Sequence, residues 1–129
     1  MTDTPERALH EAESWLVSAK HGLVEDDASA NVCCSQAIHA IIRANDALSL
    51  KFLAHKPTRH DDAAIVFAKL VKQGKLTDKA GQFKNLIANA MRDKSGADYG
   101  KMSFSYGEVK EYVEQAENFI SVVKDVLNL

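Results

Sequence analysis

Between residues 28 and 54, apolar side chains recur at Ala30, Cys34, Ala37, Ile38, Ile41, Ala44, Leu48 and Phe52, in steps of three and four. That spacing lines them up on one stripe of a 3.6-period helix. A flanking line of Cys33, Ala40, Ile42 and Ala47 widens the stripe past half the circumference, and no proline or glycine interrupts it. The pattern predicts a central helix over 28–54 that needs partners on two or three sides.

The rest of the chain predicts those partners. Thr4-Pro5-Glu6 offers a capping hydroxyl, a proline at the first helical position and an acid in the first turn. A first helix is expected from there to about Val24. Ala8, Leu9, Ala12, Trp15, Leu16, Ala19 and Leu23 face inward, and His10, Glu11, Glu13 and Lys20 outward. Asp27 is the expected cap of the central helix, whose antiparallel neighbour the first helix should be. Pro57 ends the central helix, and Thr58 with Asp61 reads as a capping pair for a third, carrying Ala64, Phe67, Ala68 and Val71 up to Gly74. After a turn at 75–78, a fourth is expected on Phe83, Leu86, Ile87, Ala90 and Met91. From Asp93 to Gly107 the period fails, and an ordered loop held by Tyr99, Met102, Phe104 and Tyr106 is expected. Ser105 and Glu108 then form a capping box for a last helix on Val109, Tyr112, Val113, Ala116, Phe119, Ile120, Val123 and Leu127. The sum is a single all-α domain over 1–129, an up-and-down helical bundle of four long helices plus a shorter fifth.

With 46% hydrophobic and 26% charged residues the composition is that of an ordinary globular domain. No apolar run approaches the ~20 residues of a membrane span. The polar, acidic N-terminus is unlike a signal peptide, so a cytoplasmic protein with no membrane contact is expected. Cys33 and Cys34 are adjacent on a helix and point about 100° apart, so they are expected as reduced thiols. Their spacing is not that of a zinc half-site, and no metal or other cofactor is expected.

Charge is segregated along the chain. Residues 1–54 hold four Lys/Arg against eight Asp/Glu, residues 55–104 ten against five, and residues 105–129 two against five. The middle of the chain is where a phosphate-bearing partner would be drawn, as against a merely solvated lysine face. No Glu-x-x-His pair, P-loop, Gly-x-Ser-x-Gly or His-Glu-x-x-His occurs, which sets aside a di-metal bundle oxidase and the motif-bearing hydrolases.

The run Gln36-Ala37-Ile38-His39-Ala40-Ile41-Ile42-Arg43-Ala44, with His60-Asp61 after the loop, resembles the HEPN (higher eukaryote and prokaryote nucleotide-binding) superfamily. His39 and Arg43 stand where that family often has glutamate and lysine. Leu86-Ile87 through Arg92-Asp93 to Tyr99-Gly100 is similar to the family's R-x4-H-x-Y region, and Ala116-Glu117-x-Phe119-Ile120 is similar to its last helix. The resemblance implies a helical bundle that pairs as a homodimer. In members that cut RNA, it implies a metal-independent site built on the motif's arginine and histidine.

Carried over, Arg92 matches the arginine and Tyr99 the tyrosine, but Ala97 sits where the histidine belongs. A methyl group transfers no proton, and general acid-base help is worth ~10²–10⁴-fold in rate. The reading therefore leans away from an enzyme. It favours a domain that binds a nucleotide, RNA or a partner protein through Arg92, Tyr99, His60, Arg43 and Lys94. The alternatives are an endoribonuclease of a toxin–antitoxin or defence system, with Arg92 catalytic, and a structural partner of a nucleotidyltransferase. Arg92 equally suits a cation in a helix's last turn, and Arg43, Asn45 and Asp46 equally suit an ion-pair patch.

Overall fold

The structure, a computed structural model, describes residues 3–23, 27–57, 62–99 and 103–128. Among the described residues six helical segments follow one another: α1 (Pro5–Gly22), α2 (Asp27–Leu53), α3 (Asp62–Lys72), the single turn α4 (Asp78–Gly81), α5 (Lys84–Tyr99) and α6 (Tyr106–Leu127). Among the described residues there is no strand, and no helix is long and apolar enough to cross a membrane. The fold is all-α.

α2 is the axis of the bundle. Its apolar stripe and flanking line are buried, with Phe52 partly so. α1, α3, α5 and α6 all pack against it, which is what an apolar surface wider than half a helix requires. Five cross-helix contacts fix α1 as its antiparallel neighbour. Asp3 and Glu11 reach Arg43, Trp15 stacks on His39, Ser18 meets Gln36, and Gly22 lies against Cys33. A Cβ added at Gly22 would stand 3.1 Å from the Cys33 Sγ, so this glycine lets the two helices close together. The ion pairs Lys20–Glu117 and Glu13–Lys124 set α6 antiparallel to α1 as well. Behind α2, the Phe119 ring meets Phe67 edge-on at 6.1 Å and Phe83 at 5.3 Å, tying α3 and the start of α5 to α6.

The caps follow the sequence where they can be seen. The Thr4 hydroxyl accepts from the Arg7 N–H, and Ser105 and Glu108 form a reciprocal capping box. Gly74, at φ 70°, closes α3. Its N–H bonds the Val71 carbonyl and that of Lys75 the Leu70 carbonyl, the paired bonds of a left-handed glycine cap. α2 begins at Asp27 itself, the residue expected to precede it as a cap, and the Thr58–Asp61 pair lies outside the described residues.

Three expectations need correction. The fourth helix is broken in two: Thr77 caps α4, Gly81 ends it, and α5 begins at Lys84. The stripe of α3 runs through Ala63, Phe67 and Leu70 rather than Ala64, Ala68 and Val71, which are only partly buried. The larger correction is that residues 93–99 are no loop. α5 continues to Tyr99 with Ala90, Asp93, Gly96 and Ala97 buried in helical steps. Small and acidic residues on that face hide the period from a search for large apolar ones. Lys94 and Asp98, four apart and 2.8 Å from each other, support the same turns. Phe104 is buried and its N–H bonds the Asn31 side chain at 3.3 Å, while Tyr106 is half-buried. Met102 lies outside the described residues; of the other three, Phe104 and Tyr106 turn much of their surface inward and Tyr99 stays exposed.

Candidate functional site

α5 sends polar side chains to two sides. On one, Asp93 is buried at the α5–α6 contact, where the Tyr112 hydroxyl donates to its Oδ2. Arg92 closes over it, Nε to Oδ1 at 3.0 Å and an Nη to Oδ2 at 3.3 Å. Burial pushes the Asp93 carboxyl up, but the bonds from Arg92 and Tyr112 outweigh it and hold the group below the usual carboxylate range. The Tyr112 phenol is raised by burial and then by the anion beside it. Bonded to Asp93, the Arg92 guanidinium has its own pKa raised, and its side chain stays 69% exposed. Asp93 takes two of its five N–H donors.

Outside this cluster lies a groove of about 570 Å³ between the α4–α5 corner and the first turns of α6. Phe83, Leu86 and Tyr112 supply its apolar and aromatic parts. Gln82, Asn85, Asn89 and Gln115 supply carboxamides, with Arg92, Glu108 and Glu111 along its sides.

On the other side of α5, Asp98 gathers three groups. Ser35 Oγ donates to it, Lys94 Nζ lies 2.8 Å away, and His39 Nε2 lies 3.3 Å away. Burial raises the Asp98 carboxyl, and Lys94, Ser35 and His39 together more than reverse it. The His39 ring is held from α1 by Trp15, stacked with centroids 4.9 Å apart and planes 22° from parallel. Next to it Arg43, 14% exposed, contacts Glu11 at 2.7 Å, Asp3 at 2.9 Å and Asp46 at 3.2 Å.

Of the five residues singled out from sequence, the four described ones are not gathered at one place. Arg92 borders the groove. Lys94 is turned the other way onto Asp98, and Arg43 is spent on three carboxylates at the α1–α2 contact. Tyr99 is 73% exposed at the end of α5. His60 lies outside the described residues. Ala97 is buried, on a different side of α5 from the exposed Arg92. Cys34 is fully buried, and burial first, then Asp93 and Glu108, pushes its thiol up to about 12, which leaves it protonated and unreactive. Asp93, Asp98, Tyr112, Trp15 and Ser35 were not picked out from sequence as polar partners. Only the i, i+4 spacing of Lys94 and Asp98 signalled one of them.

Along the run from α3 to the start of α5, Lys69, Lys72, Lys75, Lys79 and Lys84 are all exposed. None of them makes an ion pair with another described residue, and Asp78 is the one acid between Ala63 and Arg92. Among the described residues, no group of three or more His, Cys, Asp or Glu is arranged to hold a metal ion. Compared with known protein families and with curated proteins, the sequence matches none.

Proposed function

We propose that this chain is a non-catalytic, HEPN-like helical module that binds a phosphate-bearing ligand, RNA or a nucleotide, along the α3–α5 lysines with Arg92 at their edge. The carrying observation is the run of five exposed lysines without ion-pair partners among the described residues, on a chain whose net charge is −2. Charge of one sign left unneutralised on a protein of opposite overall sign acts as a local attractor for polyanions. The absence of catalysis rests on the chemistry beside Arg92. Asp93 is locked between a guanidinium and a phenol, and position 97 is a buried methyl. Neither of these two positions offers a group free to carry a proton to a leaving oxygen.

Incubation with labelled RNA in EDTA tests both halves. The RNA is expected to be bound and left intact, with log affinity falling linearly in log salt and chemical-shift changes on residues 55–104. Lys72→Gln and Lys79→Gln should each reduce the salt slope by about 0.7, the contribution of one phosphate of a single strand. Cleavage lost in Arg92→Ala would install the ribonuclease reading instead, and shifts confined to α1 and α6 would remove the lysine site. The same reading includes a homodimer with Arg92 near the two-fold axis, supported by the exposed ring of Tyr99 beyond it. Light scattering at micromolar concentration should give about twice the chain mass of 14.2 kDa. A value near the chain mass ends that part of the proposal.

A further inference from the structure

The groove beside Arg92 is chemically unlike the lysines that precede it. Glu108 and Glu111 stand on its α6 side and Asp93 lies beneath, so carboxylates outnumber the single guanidinium. A phosphate entering it would meet like charge on one wall. What the groove offers instead is neutral hydrogen bonding. Gln82, Asn85, Asn89 and Gln115 each present a carbonyl and an NH₂, and none has a hydrogen-bond partner among the described residues. Glu111 adds an acceptor, Arg92 adds donors, and Phe83 and Tyr112 add ring surface. At about 570 Å³ the space falls within the ~300–1,000 Å³ usual for small organic ligands.

We propose that this groove receives a nucleobase of a single strand whose phosphates lie on the adjoining lysines. This rests on the phosphate-binding reading above and goes further, assigning a strand type and a subsite. A base edge is uncharged and carries donors and acceptors side by side, the complement of mixed carboxamides and a carboxylate. Its exocyclic amines suit Glu111 and the amide oxygens, and its ring nitrogens and carbonyls suit the amide NH₂ groups. Only an unpaired base can be turned out to present that edge, so duplexes should be poor ligands. The lysines on α4 and at the start of α5 flank the groove in sequence, Lys79 just before Gln82 and Lys84 between Phe83 and Asn85. The backbone thus has cationic positions next to the place where the base enters.

The test compares, by fluorescence anisotropy on the full chain, a short single-stranded oligonucleotide with an abasic strand of the same length and charge. The base-bearing strand is expected to bind at least about fivefold more tightly, the lower end of what one stacked base contributes. In Asn85→Ala/Asn89→Ala, exposed helical positions where alanine favours folding, that preference should vanish while affinity for the abasic strand is kept. Lys72→Gln/Lys79→Gln should weaken both strands by the same factor. Equal binding of the two strands by the unmodified protein overturns the groove and leaves the lysine site standing. So does a preference that survives in the asparagine double variant. Failure to bind either strand overturns the lysine site and the groove with it.

Discussion

Replacing Arg43 separates a structural cation from a ligand-binding one. Its guanidinium is 14% exposed and contacts Asp3 (24% exposed), Glu11 (40%) and Asp46 (13%). The Asp46 and Asp3 contacts are shielded on both sides, whereas the Glu11 contact is discounted for solvent screening. Removing one partner of a buried pair costs ~3–5 kcal/mol and of an exposed pair ~0–1 kcal/mol. For this intermediate cluster, Arg43→Gln should cost about 2–4 kcal/mol at neutral pH. At about 3–5 °C per kcal/mol for a chain of this size, Tm should fall by about 6–20 °C. Asp3 and Glu11 are held below their ordinary values of 3.8 and 4.5 chiefly by their bonds to Arg43. Groups with depressed folded pKa contribute stability that is complete above the unfolded pKa and lost as pH falls through the folded one. The gap between variant and parent in thermal melts should therefore be full at pH 6–8 and close on acidification below about 4.5. A gap that persists unchanged in acid would mean that Arg43 acts by packing its stem. A variant of parental Tm that has lost RNA binding would mean that Arg43 belongs to the ligand site.

Two further outcomes test the α5 clusters. Tyr112→Phe removes the hydroxyl donated to buried Asp93 and should cost ~1–3 kcal/mol in denaturant unfolding, with the Asp93 carboxyl titrating higher by NMR. Unchanged stability would show that Arg92 alone satisfies the anion. Trp15 is the one tryptophan of the chain and stacks on His39, so its emission should follow protonation of that imidazole. His39→Gln should abolish the transition, and a titration curve that survives the substitution would place its source elsewhere.

Unbroken helical spacing of apolar residues made the bundle legible in the sequence. The α2 stripe was readable because alanine and cysteine recur there in step with Ile, Leu and Phe, the α6 stripe because Val, Ile, Leu and Phe do so, and the Thr4 and Ser105 caps because a hydroxyl precedes each helix. The second half of α5 was hidden because its buried face is Asp93, Gly96 and Ala97. Each of those residues weakens a hydrophobic period, and glycine also lowers helix propensity by ~1 kcal/mol relative to alanine. Tertiary context overrides that cost here. A face of small residues lets α5 lie close to α2, and the buried acid is satisfied by Arg92 and Tyr112 rather than by water.

That arrangement explains why residue types alone do not tell which cations are committed within the fold. Arg92, Lys94 and Arg43 look alike as cations, yet what each can do depends on the carboxylates within reach. Arg43 has three and Lys94 has Asp98 four residues on, so both are committed to joining helices. Arg92 shares a single buried carboxylate and keeps most of its surface in solvent, beside carboxamides that have no partner within the described chain. The lysines from Lys69 to Lys84 have no carboxylate partner among the described residues at all. Capacity for an external anion thus rises along this series from Arg43 and Lys94, through Arg92, to the lysines. Charge-neutralising substitutions should follow that order, weakening RNA binding most at Lys72 and Lys79, less at Arg92, and least at Arg43, where the loss should appear in stability instead.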